Sequence, residues 1–98
     1  MVRPLKPRCI GTDPRATYFK PRGIPLRTLE QVVLTLDEME AMRLKNIAEL
    51  DQIKAAKRMG VSQSTFQRIL ASANRKVSDA LLRGKAIKIE GGSVKRKP

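Results

Sequence analysis

Gly60 constrains this chain more than any other residue. In AAKRMGVSQSTFQRIL, residues 55–70, the apolar residues on both sides fall at helical spacing, yet a glycine stands between them. A glycine just past a helix can take the left-handed conformation that closes the last turn without a Cβ clash. Ser62 can then accept from the free amides of a new helix. The pattern predicts two helices meeting at a sharp turn, the first from about Asp51 to Met59 with Ile53, Ala56 and Met59 inward. The second begins at Gln63, ends before Gly84, and carries Phe66, Ile69, Leu70, Ala73, Val77, Ala80 and Leu81 as one inward stripe.

An earlier helix is marked by Thr35 and Glu38, which have capping-box spacing, with Leu34 and Met39 at staple positions around them. It should run from Leu36 to about Ile47. Met39 and Met42 fall on one side and Ala41, Leu44 and Ala48 on another, the mark of a helix sandwiched between neighbours. Asp37, Glu38 and Glu40 at its start are accounted for by capping and the helix dipole rather than by acid–base chemistry. Gln31–Leu34 reads as a short strand, and the alternation of Ile87 and Ile89 with lysines reads as another that can pair with it.

Residues 1–29 hold Pro4, Pro7, Pro14, Pro21 and Pro25, with only Asp13 set against seven basic residues. Proline lacks a backbone donor and pushes its predecessor toward extended geometry, so this segment is expected to be a basic, extended arm. Residues 30–90 make a single domain, and GGSVKRKP, residues 91–98, reads as a solvated basic tail. The class is mainly α: three helices, the arm, and a two-stranded accessory sheet.

At 98 residues, with 41% hydrophobic and 31% charged residues, the chain can bury a modest core but not a deep enzymatic pocket. Aromatic residues are only 3%, so Leu, Ile, Val, Met and Ala must build that core. Met39, Met42 and Met59 are read as core filler. The net charge of +12 makes a polyanion the expected partner, because self-repulsion on that scale opposes a compact state. A membrane is not expected: no apolar run approaches the roughly 20 residues needed to span one. MVRPLKPRC has no apolar stretch behind its charges, so no secretory signal is read there and a cytoplasmic location is expected. With no histidine and one cysteine, neither a zinc site nor a His-based triad can be assembled. Cys9 is read as incidental, RGKA lacks the rest of a phosphate loop, and no cofactor is expected.

Helix, glycine turn, longer helix with a polar outer edge: this is the helix-turn-helix pattern, in which the second helix enters the major groove. With Phe66, Ala73 and Val77 inward, the opposite side presents Ser64, Arg68, Ala71 and Arg75, flanked by Gln67 and Ser72, and Gln63 and Ser64 stand at the helix N-terminus that enters the groove, so Gln63, Ser64, Gln67 and Arg68 are the base readers. Lys54, Lys57, Arg58, Ser62, Arg75 and Lys76 are suited to phosphates, which position a protein without reading sequence. Arg3, Lys6, Arg8 and Arg22 fit a minor-groove arm, though they equally fit a solvated tail that adds affinity without selectivity.

TYFKPRGIPL, VVLTLDEMEAMRL, QIKAAKRMGVSQSTFQRIL and KVSDALLRGKAIKIEGG together cover most of the chain. On these stretches the chain resembles uncharacterised protein family 0251, also called domain of unknown function 134, of bacteria and archaea. The resemblance implies a DNA-binding domain like the fourth region of bacterial sigma factors, with Gly60, Val61 and Ser62 on the turn and Gln63, Ser64, Gln67 and Arg68 on the reading helix. Relatives usually carry acids soon after the glutamine that opens the second helix, whereas Ile53 and Lys54 follow Gln52 here. Some longer relatives continue into a cysteine-containing segment and a domain like iron-molybdenum cofactor-binding proteins, which lends these residues no metal role.

The expected function is duplex DNA binding by a transcriptional regulator without catalytic activity. Specificity then calls for a homodimer or the arm, with Val77, Leu81, Ile87 and Ile89 as the dimer surface. Two other readings fit. A sigma-like adaptor could dock on RNA polymerase, its acidic first helix meeting a basic partner. An RNA or ribosome-associated protein fits the basic, proline-punctuated ends, although Tyr18 and Phe19 are its only adjacent aromatic pair.

Overall fold

Thr35 ends a strand and starts a helix. The computed structural model describes residues 7–11 and 13–96. In it Thr35 Oγ1 accepts from Glu38 N and Glu38 Oε1 accepts from Thr35 N at 2.9 Å, the reciprocal box predicted at the start of α1 (Leu36–Met42). Leu36 N donates to Gly91 O at 3.0 Å, so the chain after the last helix closes the same helix end. Gly92 makes that approach possible: its φ is +96°, and a Cβ there would stand 2.6 Å from Asp37 Oδ1.

Past Met42 the helix continues to Ile47 as predicted, but in the wider π winding over Arg43–Ile47, with Ala48 N donating to Arg43 O at 2.9 Å. Its two apolar sides serve two cores. Ala41 and Leu44 pack with Ala55, Ala56, Met59, Phe66 and Ile69. Met39 and Met42 pack around Leu34, Ala73 and Ile89, beside Val77 and Ile87. Ala48, predicted to lie inward, is exposed, because the wider winding takes residues after Leu44 out of the α-helical phase.

The interruption at Gly60 is real. α2 (Gln52–Met59) ends on Gly60 in the left-handed conformation, φ 70° and ψ 32°. Gly60 N donates to Lys57 O at 3.1 Å and Val61 N to Ala56 O at 3.0 Å, which satisfies the last carbonyls of the helix. Ser62 accepts from Thr65 N at 3.2 Å and opens α3 (Gln63–Arg83). Phe66, fully buried, fastens α3 to Ala55, Ala56 and Met59, where small residues let the helices meet closely.

Two residues leave the inward stripes assigned to them. Ile53 is 57% exposed, since the buried side of α2 is Ala55, Ala56 and Met59 and Ile53 lies about 100° away around the wheel. Leu81 is 75% exposed, because Ala80 holds the inward place and the next residue turns about 100° outward.

The accessory sheet is larger than predicted. β3 (Gln31–Leu34) and β4 (Ala86–Ile89) pair in parallel with Leu34 opposite Ile89, and β2 (Tyr18–Phe19) adds an antiparallel strand on the other side of β4. A separate pair joins β1 (Arg8–Ile10) to β5 (Val94–Arg96) in parallel. The expected arm therefore contributes two strands, β1 and β2, and the expected tail one, and Ile10 is only 2% exposed.

α3 is locked to both α1 and the sheet by one buried acid. Glu38, 6% exposed, accepts from Lys76 Nζ at 2.7 Å and from Ser72 Oγ, while Lys76 Nζ also donates to Val33 O at 2.8 Å. Burial raises the carboxyl's pKa, but the hydrogen bonds from Lys76, Ser72 and Thr35 outweigh it and hold the pKa below the ordinary glutamate value of 4.5.

The resulting stability is present above pH 4.5 and is lost as the pH falls through the lowered folded value. Glu38→Gln should accordingly be less stable at neutral pH, with a flatter stability profile below pH 4.5, measured by urea unfolding across pH. Matching acid slopes in both proteins would contradict this role. Gly60→Ala should cost about 1 kcal/mol through its left-handed backbone, and Phe66→Ala about 3–5 kcal/mol through the cavity it leaves, both read from urea midpoints.

Candidate nucleic-acid interface

α3 is 21 residues long, and its sides differ sharply. Phe66, Ile69, Ala73 and Ala80 are buried, while Gln63, Ser64, Gln67, Arg68, Ala71, Asn74, Arg75 and Ser78 are exposed at three- and four-residue spacing. The base readers assigned from sequence all lie on that exposed edge, on the first two turns after Gly60. The edge is braced from behind by the Phe66 core, and β1 supports the turn: a Cβ on Gly60 would sit 3.8 Å from Cys9 Sγ.

The side chains on this edge are tied to one another. Gln52 Oε1 accepts from Gln63 Nε2 at 3.1 Å and from Gln67 Nε2 at 2.8 Å. Arg68 Nη2 donates to Thr65 Oγ1 at 3.3 Å, and Ser62 Oγ donates to the same oxygen at 2.9 Å. Gln52 and Thr65 were not among the residues singled out from sequence. The signal for Gln52 was present, since it shares the inward side of α2 with Ala55, Ala56 and Met59 and so faces α3.

The cations proposed for phosphates divide by environment. Lys54, Lys57 and Arg58 are exposed, line one shallow depression with Leu50, and form no ion pair with any described residue. Arg75 is likewise exposed and outside every such pair. Lys76 differs: its ammonium is held between Glu38 and Val33 O, inside the frame rather than free for a phosphate. Ser62 is committed to its own helix as the cap.

Of the minor-groove set, Arg3 and Lys6 lie outside the described residues. Arg8 sits in β1 with its side chain 14% exposed, Nε 4.0 Å from Asp37 Oδ2, and is thus part of the fold rather than of a free arm. Arg22 stands exposed on the turn before Gly23.

Three of the five acids of residues 30–50 are internal, while Glu30 and Glu49 are exposed. Asp37, Glu38 and Glu40 are 8%, 6% and 3% exposed. Glu40 Oε1 accepts from Arg43 Nε at 2.7 Å, and Oε2 accepts from Arg43 Nη2 at 2.9 Å and from Gly11 N at 2.7 Å. Among the described residues no group of His, Cys, Asp and Glu could hold a metal ion, and no helix is long and apolar enough to cross a membrane.

On the side of α3 away from Arg68, Val77 joins Phe19, Leu34, Met39, Met42, Ile87 and Ile89 around an apolar cleft of about 600 Å³. Three of the four residues assigned to a dimer surface therefore lie together, while Leu81 projects from the next turn of α3.

Comparison with known proteins finds relatives along nearly the whole chain. Residues 1–97 match the family model described as "Protein of unknown function DUF134". A UPF0251 protein of Caldanaerobacter subterraneus is 53% identical over 95 residues, covering 97% of this chain and 80% of the relative. One from Dehalococcoides mccartyi is 53% identical over 92 residues, covering 94% and 79%. For one from Desulforudis audaxviator, 53% identical over 93 residues, the shares are 95% and 61%. No solved structure matches. With identity above half along nearly its full length, the chain belongs to the DUF134 family, whose members carry the name UPF0251.

Proposed function

We propose that this chain binds duplex DNA by placing the N-terminal half of α3 in the major groove, as a helix-turn-helix domain like the fourth region of sigma factors. It acts as a cytoplasmic transcriptional regulator and has no catalytic step. The observation that carries the reading is the exposed edge of Gln63, Ser64, Gln67 and Arg68, braced from behind and flanked by Lys54, Lys57 and Arg58, which are exposed and form no ion pair with a described residue. A polar edge held rigidly against a core can meet base edges without reordering, and neighbouring free cations supply the counterion-release term.

The rival readings lose their specific supports. An adaptor offering an acidic helix to a basic partner needs exposed acids, and Asp37, Glu38 and Glu40 are buried against Arg8, Lys76 and Arg43. A single-stranded RNA platform needs aromatic rings side by side, but Tyr18 and Phe19 are successive strand residues and point to opposite faces of the sheet. RNA polymerase remains a partner compatible with DNA contact by α3.

One reading helix spans a short site, so we place a second copy across the apolar cleft, with Val77, Leu81 and Ile87 at the contact and Ile89, 7% exposed, in the core behind them.

Selection of duplexes from a random pool at two salt concentrations tests the DNA reading. Arg68→Ala should relax preference at one base position, worth about 1–3 kcal/mol. Lys57→Ala should weaken all sequences alike and lower the salt slope by about 0.9. Equal, unselective losses in both variants would remove the assignment of readers. Leu81→Asp should leave thermal stability nearly unchanged and shift sedimentation toward the monomer; an unchanged sedimentation profile would move the dimer surface elsewhere.

A further inference from the structure

We infer that Gln52 is a positioning residue that presets the amides of Gln63 and Gln67 for adenine at neighbouring base pairs. The inference rests on the DNA reading and deepens it by naming the base. A free glutamine side chain rotates among several rotamers, and its amide can present oxygen or nitrogen in either sense. Here one acceptor, Gln52 Oε1, receives Gln63 Nε2 at 3.1 Å and Gln67 Nε2 at 2.8 Å. That oxygen has two lone pairs, so both are used.

Each reader is left with the same residual pattern: one N–H and an Oε1 with its lone pairs. Adenine in the major groove offers N7 as acceptor and the N6 amino group as donor, which is the complement of that pattern. Guanine offers two acceptors, N7 and O6, and cannot satisfy Oε1. Gln63 and Gln67 are four residues apart, about 6 Å along the helix, so they address neighbouring base pairs rather than the same one. Gln52, the first residue of α2, reaches both because it stands on the side of α2 that faces α3.

The test uses the full chain with Gln52→Ala and Gln52→Glu, after confirming equal melting temperatures. In the free protein, side-chain amide relaxation by NMR should show Gln63 and Gln67 ordered in the wild type and mobile in Gln52→Ala. In duplex selection the wild type should choose adenine at two neighbouring positions. Gln52→Ala should lose about tenfold of that preference with no change in salt slope. Gln52→Glu keeps two accepting oxygens, so it should restore the preference while lowering affinity for every sequence through its added charge.

Undiminished adenine selection by Gln52→Ala, or a wild type that selects bases other than adenine at these positions, overturns the positioning role while the DNA reading stands. A wild type that selects no sequence overturns the DNA reading and the adenine assignment together.

Discussion

The carboxylate of Glu38 ties three elements that would otherwise have no reason to share one geometry. It caps α1 through Thr35, receives α3 through Ser72 and Lys76, and through the second bond of Lys76 is linked to the backbone of β3. A buried charge is costly unless paired and hydrogen-bonded, and here the partners are drawn from separate parts of the chain. That requirement converts a local capping device into a fixed register between α1 and α3. The exposed half of α3 inherits its placement from this register as well as from Phe66.

Internalising the acids also changes what a partner meets. Asp37, Glu38 and Glu40 face Arg8, Lys76 and Arg43 within the molecule. Three acids of the middle segment are therefore spent on structure, while Lys54, Lys57 and Arg58 stand exposed on α2 in no ion pair with a described residue.

What was legible in the sequence was legible because it was local. Gly60, the Ser62 cap and the Thr35/Glu38 box declare themselves within four residues, and the helix limits followed from them. The two-sided pattern of Met39 and Met42 against Ala41 and Leu44 likewise pointed to two cores. Long-range pairings were not legible. Nothing around Arg8 announces a strand partner at Val94, since the segment is proline-punctuated and basic and the strands are three residues long. Lys76 looked like any surface lysine of an amphipathic helix, and only the fold discloses that Glu38 waits beneath it. At the candidate site the wheel placed Ser64, Gln67 and Arg68 outward and the helix start singled out Gln63, but neither carries information on which of them touch one another.

The parallel pairing of β3 with β4 has a bearing on how the molecule comes into being. Parallel neighbours cannot be joined by a tight hairpin, and here every helix lies on the connection between them. During synthesis, β3 leaves the ribosome long before its partner exists, and its open edge must wait for all three helices to be made. β4, made after all three helices, is thus the strand that seals this edge, so a nascent chain halted before Ala86 leaves β3 unpaired.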